Sequence, residues 1–133
     1  MRSLKTIRND LKSLRSYQVV LFGSQTMGQA TKRSDIDIAI VTGIKQRDKN
    51  KELWYTSLGK APSGYDLKVF ELLPLPMQMQ IISSYKTIFG SPLDISEYFY
   101  HYRKLWKDVE RRYKENQFSS VKERMKVLRK LPA

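Results

Sequence analysis

Two aspartates separated by a single residue stand at the start of an apolar run, and their spacing could support catalysis. Asp35 and Asp37 carry like charges, which are costly at this separation unless a cation lies between them. Upstream, Gly23-Ser24 ends another apolar run and leads into a candidate helix. Backbone N–H groups at such a turn can receive phosphate oxygens. The stretch 23–37 therefore predicts a metal-dependent site that handles phosphate.

Composition limits the ligands of that metal. The chain has no cysteine and a single histidine, His101, so thiolate and histidine-rich sites are excluded. Oxygen donors favour magnesium, manganese or calcium. Asp66 opens a later apolar run in the same way, so neighbouring strands would bring Asp35, Asp37 and Asp66 to one end of a sheet. Three carboxylates suit two divalent cations that clamp the attacking and leaving oxygens of a phosphoryl displacement.

Other phosphate and metal motifs do not fit the chain. Gly28 is followed by Gln29-Ala30 rather than by the lysine of a Walker A loop, and no GxGxxG pattern occurs. The acids alternate along an apolar strand and lack the 12-residue loop of an EF-hand.

Helical and strand patterns alternate around these residues. This order predicts an α/β (α+β) fold with a mixed sheet flanked by helices. The expected strands are 17–22, 35–41, 65–72 and a short one at 87–90. The expected helices are 4–15, which begins after an N-cap at Ser3, then 24–30, 47–58, 74–84 and 94–115. A break at Asn116 and a capping box at Ser120 and Glu123 predict a last helix that ends before Pro132.

The combination of Gly-Ser, a later glycine, Ser-Asp-Ile-Asp-Ile and a further apolar-flanked aspartate resembles the DNA polymerase β-like nucleotidyltransferase superfamily. In length and layout the chain is similar to minimal nucleotidyltransferases, small prokaryotic proteins often paired with a HEPN-domain partner as antitoxin and toxin. We therefore expect a palm-like nucleotidyltransferase domain over 1–92. Residues 93–133 would form a basic helical extension that is not an independent domain.

The resemblance implies a role for each candidate residue. Gly23 and Ser24 would hold the β- and γ-phosphates of a nucleoside triphosphate, with ATP favoured. Asp35 and Asp37 would bind two Mg²⁺ ions, for which Mn²⁺ could substitute, and Asp66 would be the third metal ligand and would help to deprotonate the attacking hydroxyl. The reaction would move a nucleoside monophosphate to a hydroxyl on a HEPN toxin and release pyrophosphate.

Two nearby positions qualify this picture. Met27 stands where many small members carry an arginine, although Lys32 and Arg33 are close enough in sequence to substitute. Lys68 should share a strand face with Asp66, where it would either neutralise the acids or reach the triphosphate.

The net charge of +12 is concentrated in the two ends of the chain. It favours phosphate-rich partners, or simply a solvated surface. An aromatic seam along helix 94–115 predicts a packing surface, with a homodimer contact, a partner-docking helix and an RNA contact as alternatives. The alternative function is a catalytically weak protein- or RNA-binding module of the same fold. Without an apolar span or a signal peptide, we expect no membrane association and a cytoplasmic location.

Overall fold

One mixed sheet lies at the centre of the structure, which is a computed structural model. It describes residues 2–23 and 35–130, and for residues 113 and 117–130 it describes the backbone alone. Its strand order is β3-β2-β1-β4. β1 runs antiparallel to β2 and β4, whereas β2 and β3 are parallel. The mixed sheet predicted from the sequence is confirmed, and the predicted helix 24–30 lies outside the described residues. The strands are β1 (Gln18–Phe22), β2 (Ile36–Val41), β3 (Tyr65–Val69) and β4 (Lys86–Phe89).

Helices cover both faces of this sheet. They are α1 (Leu4–Asp10), α2 (Arg47–Leu58), α3 (Leu75–Ser83) and α4 (Pro92–Lys130), with 3-10 turns at Lys12–Leu14 and Phe70–Leu72. None of the helices in the described ranges carries an apolar stretch long enough to span a lipid bilayer.

The alternation of strand side chains divides the core into two parts. Ile36, Ile38 and Ile40 pack with α1 and with Leu53 of α2 on one face. Ala39 and Val41 point to the other face, where α3 and α4 close the core. This second face also carries the candidate acids, because Asp37 shares the parity of Ala39.

The first predicted helix and the third predicted strand are shorter than expected. The helix predicted over 4–15 begins at its Ser3 cap but ends at Asp10, and a separate 3-10 turn follows. The strand predicted over 65–72 ends at Val69. Glu71 leaves the strand because its carboxylate accepts hydrogen bonds from the backbone N–H groups of Thr42 and Gly43, at 3.1 and 2.8 Å.

The predicted break at Asn116 is wrong, since α4 continues from Pro92 to Lys130. Asparagine costs less than about 0.7 kcal/mol relative to alanine inside a helix. The chain has neither glycine nor proline between Pro92 and Pro132 to stop the helix. The capping-box pattern at Ser120 and Glu123 therefore lies within a continuous helical backbone.

The start of α4 packs into the same core as the sheet. Ile95 and Phe99 are fully buried, and the ring of Phe99 lies 4.8 Å from that of Phe70. Farther along the predicted aromatic seam Trp106 is half-buried, whereas His101 is exposed. The seam is thus a packing surface over its first turns.

Candidate active site

Strand register brings the candidate residues together. Phe22, the last residue of β1, pairs with Asp37, so that Gly23 follows directly beside this aspartate. Asp37 in turn pairs with Asp66 on the parallel strand β3. The neighbouring strands expected from the sequence are therefore present, and they place Gly23, Asp37 and Asp66 side by side at one end of the sheet.

Gly23 makes a close backbone approach to the Asp37 carboxylate. Its φ is +79°, a conformation that other residues rarely adopt. A Cβ built on it would overlap Oδ2 of Asp37. Glycine is thus required here for both its backbone conformation and its lack of a side chain.

Lys68 forms an ion pair with Asp66 across the face of β3. Its Nζ lies 3.0 Å from Oδ2 of Asp66, and the two side chains are 28% and 43% exposed. Of the two roles considered for Lys68, the structure shows neutralisation of an acid. Because both residues stand on β3, the ion pair also orients the Asp66 carboxylate.

Asp37 is electrostatically unfavourable as an anion. Partial burial raises the pKa of Asp37, and the negative charge of Asp66 raises it further, while Lys68 acts in the opposite direction without cancelling the effect. A bound cation would remove this penalty. The donor set consists of carboxylate oxygens, which suits Mg²⁺ or Mn²⁺.

Asp35 occupies a different position from the other two acids. It precedes β2, is exposed, and lies close enough for its charge to contribute to the raised pKa of Asp37. Among the described residues, no three acidic or histidine side chains are gathered closely enough to enclose a metal ion. The structure therefore pairs Asp37 with Asp66 and leaves Asp35 at the rim. Ser24 and Met27 lie outside the described residues.

A pocket of about 410 Å³ opens beside Gly23 and Asp37. We call it the active-site pocket. Its opposite wall comes from α3 and the residue after it, and includes Met77, Gln80 and Ser84. Sequence reasoning missed these residues, although their spacing of three and four is that of one helical face. The pocket thus has a carboxylate on one wall and amide and hydroxyl groups on the other.

A family model for the nucleotidyltransferase domain of polymerase β matches residues 5–92. The chain belongs to this nucleotidyltransferase family. The expectations of a nucleotidyltransferase fold and enzyme class, and the resemblance to the minimal nucleotidyltransferases, are confirmed. A protein of Methanocaldococcus jannaschii named as a candidate protein adenylyltransferase is 46% identical over 117 residues, which cover 88% of this chain and 91% of that protein.

Solved structures share the fold of this nucleotidyltransferase at low sequence identity. A toxin–antitoxin structure with AMP-PNP matches with a TM-score of 0.56 and 21% identity, and covers 83% of this chain and 98% of the matched one. A complex of tri-AMPylated Shewanella oneidensis HEPN toxin with MNT antitoxin matches with a TM-score of 0.53 and 17% identity, and covers 86% and 99%. These likenesses establish the fold.

Proposed function

We propose that this nucleotidyltransferase transfers AMP from ATP to a hydroxyl group on a HEPN-domain toxin, and so acts as a cytoplasmic antitoxin. The relative named as a candidate protein adenylyltransferase supports the choice of AMP and of a protein acceptor. The toxin–antitoxin complexes among the solved structures support ATP as the donor and a HEPN protein as the partner. The tri-AMPylated toxin in one of them supports more than one transfer per acceptor.

The observation that carries the proposal is the pairing of Asp37 with Asp66 directly beside Gly23. Two carboxylates held together at a phosphate-binding turn cost free energy in the absence of a cation, and this favours a metal-dependent role over a structural one. Asp37 and Asp66 would hold Mg²⁺ together with Asp35 from the rim. When bound, the metal would neutralise charge that develops on the phosphate oxygens.

The protein side chains have separate tasks in this reaction. The turn at Gly23 and Ser24 would receive the triphosphate through backbone N–H groups, and the active-site pocket would hold the nucleotide. Asp66, oriented by Lys68, would accept the proton of the attacking hydroxyl. The hydroxyl oxygen would form a bond to the α-phosphorus as the bond to the β-phosphate oxygen breaks, and pyrophosphate would leave.

We also propose that residues 93–133 extend the 1–92 domain and do not form a second one. Burial of Ile95 and Phe99 in the sheet core supports this division. The homodimer and RNA contacts considered for the seam remain predictions.

Transfer to the partner tests the function directly. The chain is incubated with radiolabelled ATP, Mg²⁺ and a HEPN-domain protein from the same genome, and label on that protein is measured. We expect labelling by the wild type and its loss in Asp37→Asn/Asp66→Asn. A matched control, Glu97→Gln/Asp108→Asn, removes two exposed acids of α4 that do not line the active-site pocket and should label normally.

Two outcomes would contradict the proposal. Full labelling by Asp37→Asn/Asp66→Asn would show that the site is elsewhere. A wild type that binds the partner but never labels it, with the acid variant binding equally well, would favour the alternative function of a catalytically weak binding module.

A further inference from the structure

The Lys68 ammonium already contacts one of the acids that would hold the metal. Its Nζ lies 3.0 Å from Oδ2 of Asp66. Among the residues that the structure describes, no other cation forms an ion pair with an aspartate of the site. We infer that Lys68 lowers the affinity of the free site for a divalent cation, so that the metal is loaded together with the nucleotide. This inference rests on the proposed function and concerns the regulation of the same active site.

Strand register places Lys68 beside both of the paired acids. Asp37 and Asp66 are partners across β2 and β3, and Lys68 is the partner of Ala39, two residues farther along the same strands. Residues two apart on a strand share a face, so the lysine stands on the face that carries the acids. Its positive charge opposes the rise in the pKa of Asp37, which shows that its field also reaches the second acid.

The exposure of this ion pair favours a role in ligand binding over a role in stability. The side chains of Lys68 and Asp66 are 28% and 43% exposed. Ion pairs that solvent reaches to this extent contribute little to the stability of a fold. Any cation that binds Asp66, in contrast, meets the ammonium directly, because Lys68 holds one of the two carboxylate oxygens.

Charge gives the direction of the effect. The three aspartates carry −3 together, and Lys68 reduces this charge to −2. A divalent cation at the free site is attracted by the carboxylates and repelled by the neighbouring ammonium. The metal therefore binds more weakly than it would bind the three aspartates alone.

A bound triphosphate would compensate for this loss. Its negative charges, held at Gly23 directly beside Asp37, add a second attraction for the cation. At metal concentrations that leave the free site largely empty, the site would therefore fill together with the nucleotide. The lysine would thus set the order in which the metal and the nucleotide are loaded.

Mn²⁺ binding to the nucleotide-free protein tests this inference without catalytic turnover. The dissociation constant is measured from the EPR signal of free Mn²⁺ with the full, untagged chain. Lys68→Met removes the charge and keeps a long side chain, whereas Lys68→Arg keeps the charge. The matched control is Lys12→Met, which removes an exposed lysine of the 3-10 turn before β1. The five residues of β1, about 17 Å of strand, separate this turn from Gly23.

We expect Lys68→Met to bind Mn²⁺ about tenfold more tightly than the wild type, because the repulsion between one charge and a nearby divalent cation in a water-like dielectric corresponds to roughly that factor. Lys68→Arg and Lys12→Met should stay within about twofold of the wild type, since the first keeps the charge and the second removes one that salt screens at this distance. Adding Asp37→Asn/Asp66→Asn to Lys68→Met should abolish the gain, which would locate the tightened site at the acid pair.

Thermal melts test the order of loading. Mn²⁺ alone should raise the Tm of Lys68→Met, whereas the wild type should need Mn²⁺ and AMP-PNP together for a comparable rise, because a ligand stabilises the fold according to its occupancy.

Several results would overturn the inference. They are equal Mn²⁺ affinity of Lys68→Met and the wild type, no measurable binding by Lys68→Met at millimolar Mn²⁺, and an equal rise in Tm of both proteins with Mn²⁺ alone. Tightening of the same size in Lys68→Arg or in Lys12→Met would also overturn it, since the cause would then be a change of structure or of overall charge.

AMP transfer by the same preparations separates the two possible failures. If the wild type does not label its partner, the proposed function fails. If it does, and Lys68→Met binds Mn²⁺ no more tightly than Lys12→Met, only the inference about Lys68 fails.

Discussion

Gly23→Ala should lower AMP transfer about 100-fold while it destabilises the fold no more than Gly43→Ala does. Gly43→Ala is the matched control, because Gly43 has a φ of +69° against +79° for Gly23. A Cβ at Gly43 meets nothing within 4 Å, whereas one at Gly23 overlaps the Asp37 carboxylate. The two variants therefore share the backbone strain and differ in the contact with the catalytic acid.

The expected losses of stability and of activity follow from the backbone strain and from the contact with Asp37. Positive φ in a residue with a Cβ costs about 1–2 kcal/mol, so both variants should lose a similar few degrees in Tm. At Gly23 the Asp37 carboxylate must retreat by about 1 Å to reach van der Waals distance from the new methyl group. A side chain can rotate to do so at modest cost, but a displacement of this size in an active site can lower the rate about 100-fold.

Thermal melts and AMP transfer to the partner, measured on both variants, test this reasoning. We expect similar Tm values, near-normal transfer by Gly43→Ala and transfer reduced about 100-fold by Gly23→Ala. If Gly23→Ala transferred AMP at the rate of Gly43→Ala, the claim that the Asp37 carboxylate needs a residue without a side chain at position 23 would be refuted. A Tm far below that of Gly43→Ala would show instead that the carboxylate cannot move aside.

Two further predictions concern stability. Asp37→Asn should raise the free energy of unfolding by less than about 1 kcal/mol near neutral pH, because it removes a half-buried charge beside Asp66 that solvent partly screens. The pKa of Asp37 is raised on folding, so the stability contributed by its protonated form is present below its ordinary value of 3.8 and is lost as pH rises through the folded value. Thermal melts of the wild type and of Asp37→Asn at about pH 7 and about pH 3.5 should therefore show the difference in stability between them closing in acid. A difference that stays constant with pH would contradict the electrostatic explanation. Trp54→Phe should lose about 1 kcal/mol in urea unfolding, since the backbone oxygen of Leu67 loses its 2.8 Å hydrogen bond, and unchanged stability would show that water replaces the indole.

Local patterns were sufficient to predict the strands that carry the acids. Period-two alternation around Asp37 and Asp66 separates their face from that of Ile36, Ile38 and Leu67, and this division is present in the core. Asp35 shows where the same pattern runs out. Alternation assigns it the face of Asp37, but β2 begins at Ile36, and the residue before a strand need not keep the geometry of the strand.

Contacts between distant segments could not be predicted in the same way. Glu71 has the pattern of a strand residue, yet it hydrogen-bonds the backbone N–H groups of Thr42 and Gly43, which lie nearly 30 positions earlier. A pocket lined by Trp54 of α2 and Lys68 of β3 likewise exists only because α2 lies against β3. The break predicted in α4 is wrong because too much weight was given to a local pattern. A capping pattern is a weak preference, and α4 contains no glycine or proline that would stop the helix.

The charges of the site and of the whole chain have opposite signs, and this opposition suits a nucleotide-transferring enzyme. Among the residues that the structure describes here, Asp35, Asp37 and Asp66 together with Lys68 carry a net charge of −2, which one divalent cation would balance. The chain as a whole carries +12, and the exposed Arg47 and Lys51 line a second pocket that shares Met77 with the active-site pocket. A basic surface raises the local concentration of anions such as ATP, while an acidic centre attracts the metal that ATP needs. A basic surface and an acidic centre in one chain would therefore serve both the donor and the cation of the proposed reaction.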